Sequence, residues 1–386
     1  RVRHYSSIEL FAGGGGMSLG LAQCGVGHHA LIEWDKNACS TLRENLRLFS
    51  GKATKPVVIE GDAREVSYEP YLQEVDIVAG GPPCQPFSLG GQHRAWDDGR
   101  DMWPEAIRAV RETQPRAFIF ENVRGLPRQK FADYLQYITL QLSHPGIVSK
   151  RGETWIEHRA RLEKHHCKGA KKVPEYRVVY RLLNAADYGV PQQRQRVFFV
   201  GFREDAGINW SFPESTHSRD SLLYQKWVTG EYWDRHGIKP QQEKPAGRIL
   251  DRLASDLYPD LQKPWQTVRD ALVGLPDPRS SHDILNHEYR GNAKQYPGHT
   301  GSALDEPAKA IKAGVHGVPG GENMLIQDDG SPRYFTAREA ARIQTFPDRY
   351  KLKGSWTESM RQLGNAVPVS LAQVIARSVI DSFHRK

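Results

Sequence analysis

The stretch SSIELFAGGGGMSLGLAQCG, residues 6–25, decides the reading of the fold. A short apolar run, SSIELF, meets four consecutive glycines, and a helical pattern then begins near Met17. Strand, glycine-rich turn and helix in that order form the first half of a βαβ unit, and the glycines let the backbone approach a ligand closely. A glycine turn by itself is more often only a tight bend. The dinucleotide fingerprint fails, because Ser18 stands where its third glycine belongs, and the loop carries no lysine for phosphate. A nucleoside without a pyrophosphate fits better.

Outward from that turn, further strands are predicted at ALIEW, PVVIEGD, VDIVAG, RAFIFENV, RVVYRLL and RVFFVGF, with helix-like segments between the earlier ones. This alternation predicts an α/β fold with a mostly parallel sheet. The last two strands lie too close together for a crossover helix, so an antiparallel pair is expected at the sheet edge. Glu33 ends the second strand about twenty residues past Gly13, the spacing at which an acid reaches a ribose hydroxyl in such folds. Trp34 beside it is placed to cover an adenine. Asp62 closes the third strand, where it either accepts from an adenine amino group or caps the next helix. After about Arg203 the rhythm breaks down until TAREAARI, which predicts a second, smaller and irregular domain.

The fourth strand runs into GGPPCQPFS, residues 80–88. Proline fixes φ and removes a donor, so this run is a stiffened loop just past a strand's carboxyl end, where open α/β sheets place their chemistry. A held thiol there, Cys84, reads as a nucleophile, although a lone cysteine is more often a buried small hydrophobe. The chain has 386 residues, four cysteines without CxxC spacing and a net charge of +8. No zinc site or disulfide framework is indicated, and the basic balance favours a polyanionic partner. No apolar run approaches membrane-spanning length and no signal peptide is evident, so a cytoplasmic protein is expected. His165, His166 and Cys167 invite a metal reading, but adjacent ligands with no second cluster make poor geometry, and no metal is expected.

FAGGGG, GGPPCQPFS, ENV (121–123), QQRQR (192–196), REAARIQTFPD (338–348) and QLGNAVP (362–368) together resemble the DNA cytosine-5 methyltransferases, in particular the compact bacterial enzymes of restriction-modification systems. The resemblance spans nearly the whole chain. Met102 stands where that family usually has leucine, and the region from Ser149 to Lys172 is longer and more basic than in its smallest members. It implies a Rossmann-like S-adenosylmethionine-dependent sheet and a target-recognition domain, with S-adenosylmethionine as cofactor and double-stranded DNA as partner. Methylation of a flipped-out cytosine is implied, with Cys84, Glu121, Asn122, Arg194 and Arg196 catalytic. Cytosine carbon 5 becomes nucleophilic only after a thiolate adds to carbon 6. Glu121, its pKa raised by burial, is then the acid at ring nitrogen 3; Asn122 orients the loop, and Arg194 and Arg196 serve the base carbonyl and the acid.

The resemblance further implies cofactor contacts from Phe11, Gly13, Gly15, Met17, Glu33, Trp34, Asp62, Ala63, Pro82, Asn365 and Val367. The glycine-rich, polar segment after Cys84 reads as a loop that closes over DNA through Gln92, His93 and Arg94, or nearly as well as a solvated loop. Expected boundaries are 1–203 for the catalytic domain, 204–345 for target recognition and 346–386 for a segment returning to the catalytic domain. A monomer with a cognate endonuclease is expected. A tRNA cytosine methyltransferase of the same fold and a catalytically silent DNA-binding protein are the alternatives. In the segment from Lys150 to Lys172, Lys and Arg outnumber acids eight to three, which suits phosphate contacts or a solvated insertion equally.

Overall fold

A computed structural model describes residues 4–52, 54–83, 101–168, 175–240, 244–255, 262–313 and 323–384. The chain forms two compact units. The first comprises Arg1–Leu183, Gln195–Phe212 and Ala372–Lys386, and the second Asn184–Arg194 and Pro213–Leu371. These units follow packing, whereas the expected division into catalytic, target-reading and returning segments is one of roles.

The first unit is built on β1 (Tyr5–Leu10), β2 (Val26–Glu33), β3 (Val57–Glu60), β4 (Ile77–Gly80), β5 (Ala117–Val123) and β6 (Tyr176–Asn184). A two-residue strand of the second unit, β7 (Gln192–Gln193), precedes the last strand of the sheet, β8 (Gln195–Arg203). The sheet order is β3-β2-β1-β4-β5-β8-β6. β1 runs parallel to β2 and β4, β4 parallel to β5, and β8 antiparallel to β5. All seven predicted strands are present, including the reversed strand near the edge.

The inner strands are apolar because both their faces are covered. Ile8, Leu10, Val78, Phe118, Phe120, Val197 and Phe199 are buried in one cluster. Helix α1 (Gly16–Gln23) follows the glycine turn, and α2 (Lys36–Glu44) is capped by Asp35, whose side chain accepts from the Ala38 N–H at 2.9 Å. Helix α3 (Trp103–Thr113) turns Trp103, Ala106, Ile107 and Val110 into the cluster, the spacing of a one-faced helix. Trp103 meets Phe120 and Phe199 edge-on, with centroids 5.9 and 5.1 Å apart. Burying such a side chain contributes about 1.5–3 kcal/mol. Helix α4 (Ala132–Ser143) adds Tyr134, Leu135, Ile138 and Leu142. Helix α5 (Trp155–Lys168) spends part of its positive charge internally, since Arg161 pairs with Glu153 and Arg159 with Asp133.

The chain end also belongs to this unit. Phe383 packs on Tyr5 and Phe202, and the Trp210 indole N–H donates to Ser378 at 2.9 Å. Against the expectation that no apolar run approaches membrane-spanning length, the segment Trp356–His384 is long and apolar enough by composition to cross a membrane. Its most apolar 18-residue window, of mean hydropathy 1.3, is 67% buried, and the segment consists of two helices, Trp356–Asn365 and Val369–His384. The second unit has mostly short elements around a small cluster of Ala186, Leu222, Tyr232, Trp233 and Trp265.

Candidate active site

At the carboxyl edge of β1 the chain enters the left-handed region. Phe11 has φ 56°, Gly13 53° and Gly15 82°. Glycine tolerates this at no steric cost, whereas a phenylalanine there is held by its surroundings. Phe11 packs against the core cluster, and the Gly15 N–H closes the turn on the Ala12 carbonyl at 2.9 Å. Glu33, at the end of β2, fixes the turn from beside it. Its Oε2 accepts from the Gly13 N–H at 2.7 Å, and its Oε1 from the N–H groups of Trp34 and Asp35 at 2.9 Å each. Burial pushes the Glu33 carboxyl up, and those three bonds pull it back.

A carboxylate offers about four lone-pair positions, so Oε2 retains one for a ribose hydroxyl. Trp34 is 76% exposed, which leaves its ring face open to a flat ligand. Met17 and Ala63 are buried. Asp62 caps the short helix Ala63–Glu65 through the Arg64 N–H at 2.9 Å, and its carboxylate also pairs with the Arg64 guanidinium, which holds it below the usual range. The capping reading of Asp62 is thus realised, and an adenine amino group must compete with Arg64 for it.

The base side lies on β5 and β8. Their antiparallel register sets Glu121 opposite Phe198 and Val123 opposite Arg196, so Glu121 and Arg196 are diagonal neighbours on one face. Arg196 Nε donates to Glu121 Oε1 at 2.7 Å, and the two side chains are only 17% and 10% exposed. Burial lowers the Arg196 pKa and the Glu121 charge raises it. Gly81 allows this packing, because a Cβ there would sit 3.2 Å from Glu121 Oε2. Asn122 Nδ2 donates to the Pro82 carbonyl at 3.0 Å, and the Pro83 carbonyl accepts from the Met102 N–H at 3.2 Å. Pro82 and Pro83, at the start of the proline loop, are therefore both held through their carbonyls.

Cys84, Gln92, His93 and Arg94 lie outside the described residues. Among the described cysteines, burial pushes Cys24 and Cys39 up to about 11 and about 12, which makes them inert, and Cys167 is exposed.

Arg194 belongs to the second unit. It is 1% exposed, and its Nη1 and Nη2 donate to the carbonyls of Ile311 and Gly364 at 2.9 and 2.6 Å. Gln192 joins the same network, accepting from the Ile311 N–H at 2.9 Å and donating to Gln344 at 3.0 Å; Gln344 in turn donates to the Leu363 carbonyl at 2.5 Å. Buried hydrogen bonds thereby knit QQRQR, REAARIQTFPD and QLGNAVP together within that unit. Asn365 is exposed at the end of its helix, and Val367 is buried. Sequence reasoning missed Gly81, whose signal is its place two residues before the proline run's second member, and Glu9, a 2% exposed acid inside β1.

The sheet order, the reversed strand β8 and the nucleoside-sized turn define a Rossmann-like methyltransferase. The chain matches the C-5 cytosine-specific DNA methylase family over residues 5–147 and 157–381, and it belongs to that family. It is an enzyme that methylates carbon 5 of cytosine in DNA. It is 32% identical to the type II methyltransferase M.Eco47II of Escherichia coli over 97% of this chain and 79% of that one. To M.NgoMIV of Neisseria gonorrhoeae it is 31% identical over 99% of both. In fold it resembles a DNA modification methyltransferase encoded in an E. coli prophage, with TM-score 0.60, 21% identity and coverage of 99% and 100%. It also resembles the Dnmt2 methyltransferase of S. pombe, with TM-score 0.57, 16% identity and coverage of 98% and 99%. S-adenosylmethionine is the methyl donor that the family implies, and the open Trp34 face, the remaining acceptor position of Glu33 and the absence of a phosphate-binding lysine from the glycine turn fit it.

Proposed function

We propose that the chain is the methylase of a bacterial restriction-modification system, acting on one cytosine of a short double-stranded DNA sequence through a covalent Cys84 adduct. The observation that carries the site assignment is the buried Arg196–Glu121 pair, standing on the strand beside the Cys84 loop with Asn122 bonded to Pro82. S-adenosylmethionine, when bound, supplies an electrophilic methyl group. The Cys84 thiolate adds to carbon 6, and the electron pair of the carbon 5–carbon 6 bond becomes available at carbon 5. Glu121, oriented by Arg196, handles the proton at ring nitrogen 3, and Arg196 keeps that carboxyl from turning away. After transfer a base removes the carbon 5 proton, and the Cys84 sulfur leaves.

Around the cofactor, Glu33 and Gly13 bind the ribose side, Phe11, Trp34, Asp62 and Ala63 the adenine side, and Gly15, Met17, Pro82, Asn365 and Val367 the remainder. Arg194 acts as a positioning residue by holding the Gly364 carbonyl next to Asn365. Gln92, His93 and Arg94 enter the DNA when the base flips out, at a cost of a few kcal/mol. Residues 204–345 read the target, residues 1–203 and 346–386 form the catalytic part, and the enzyme works in the bacterial cytoplasm as a monomer beside an endonuclease for the same sequence. The names of the relatives, all type II methyltransferases, support this setting. Expression in a methylation-free host followed by bisulfite sequencing tests it: one short motif protected at one cytosine is expected, and unprotected DNA with methylated tRNA would replace this reading by the RNA-directed one.

A further inference from the structure

The fold supplies the second cluster that the sequence lacks beside His165 and His166. His144, the residue that closes α4, and Glu175, just before β6, meet His165 of α5. Glu175 Oε1 lies 2.8 Å from His165 Nε2 and 3.3 Å from His144 Nδ1, and all three ligand atoms fall within 4.8 Å of one another. His144 is 5% exposed, yet its Nδ1 has no hydrogen-bond partner among the described residues, because the 3.3 Å contact lacks the geometry of one. A buried imidazole nitrogen aimed at a carboxylate and a second imidazole is costly unless something else lies between them.

We propose that His144 Nδ1, His165 Nε2 and the Glu175 carboxylate form a binding site for a first-row divalent transition ion of the zinc class, with water as the fourth ligand. Zinc bonds of about 2.0–2.2 Å to nitrogen and oxygen put neighbouring tetrahedral ligands about 3.3 Å apart, the spacing of His144 and Glu175. The far nitrogen of His144, Nε2, is 2.9 Å from His166 Nδ1, an outer contact that fixes the ring and leaves Nδ1 for the ion. His144 and His165 both lie at the carboxyl-terminal ends of helices, where the backbone favours a cation. Cys167 is not part of the set. The ion would staple α5 to the end of α4 and the start of β6, beside residues 148–156, which the family match leaves out.

The untagged chain, stripped by dialysis against a chelator, tests this by titration with Zn²⁺ and Co²⁺. Expected are one Zn²⁺ per chain, visible Co²⁺ absorption of tetrahedral strength that Zn²⁺ displaces, and a melting temperature that rises with Zn²⁺. His166→Gln should weaken Zn²⁺ binding about 10–100-fold, as outer contacts do. His165→Gln and Glu175→Gln, near-isosteric replacements at partly accessible positions, should weaken it more and abolish the Co²⁺ bands. A wild-type chain that binds no Zn²⁺ on titration, or His165→Gln and Glu175→Gln chains that bind it as the wild type does, would overturn the site and leave a hydrogen-bonded His–Glu cluster without an ion.

Discussion

Two arginines of one pentapeptide, Arg194 and Arg196, end in different surroundings. Arg196 sits on β8 of the first unit with its guanidinium on the Glu121 carboxylate. Arg194, two residues earlier, is buried in the second unit and gives its guanidinium to the carbonyls of Ile311 and Gly364. A carboxylate partner leaves a charge that chemistry can use, whereas carbonyl partners spend the donors on architecture. The same residue type in the same motif thus meets a carboxylate in one place and the backbone in the other.

The largest expected effect separates the two roles. Arg196→Gln and Glu121→Gln should each lower methylation per folded molecule by about 10²–10⁴, the value of a positioned acid, and the double variant should lose little more than either single one. Arg194→Ala should act on folding instead, at about 1–3 kcal/mol for each carbonyl it orphans, read as a lowered denaturant midpoint. Its methylation rate should fall with the folded fraction and with weaker cofactor binding through Asn365. If Arg194→Ala lost catalysis per folded molecule as Arg196→Gln does, at full stability and cofactor affinity, the contrast would collapse.

A buried acid without a cation sharpens the comparison. Burial, with the Glu33 charge nearby, pushes Glu9 up to about 8, against the pull of Ser18. The folded chain therefore keeps a proton that the unfolded chain releases near 4.5, and stability falls as pH rises through that window and levels off above about 8. His28 has the opposite sign: burial lowers it to about 4, so stability falls as pH drops from 6.5 towards 4. Melting curves of Glu9→Gln should lose the decline between about 4.5 and 8, and the fall below 6.5 that His28 causes should then be steeper than in the wild type.

The inner sheet was legible because its central strands are buried on both faces and read as apolar runs, as in VDIVAG and RAFIFENV. Glu33 and the turn were legible from spacing alone, since a βαβ unit fixes the distance between successive strand ends. The partner of Arg196 was legible only through family resemblance, because it depends on the register of two strands some seventy residues apart. Arg194 was read as a catalytic donor, and its burial follows from carbonyls more than a hundred residues away in sequence. His144 and Glu175 escaped for the same reason: no local pattern links the end of α4 to the start of β6.

The central claim is covalent catalysis by Cys84, and trapping on fluorinated DNA tests it most directly. A duplex carrying 5-fluorocytosine at the mapped cytosine should form an adduct that needs S-adenosylmethionine and survives denaturing electrophoresis, because fluorine cannot leave as a proton once the methyl group is on carbon 5. Cys84→Ser should form no adduct and lose nearly all turnover while still binding DNA, since a neutral hydroxyl is a far weaker nucleophile than a thiolate. Methylation of duplex DNA by Cys84→Ser at the wild-type rate would contradict the account.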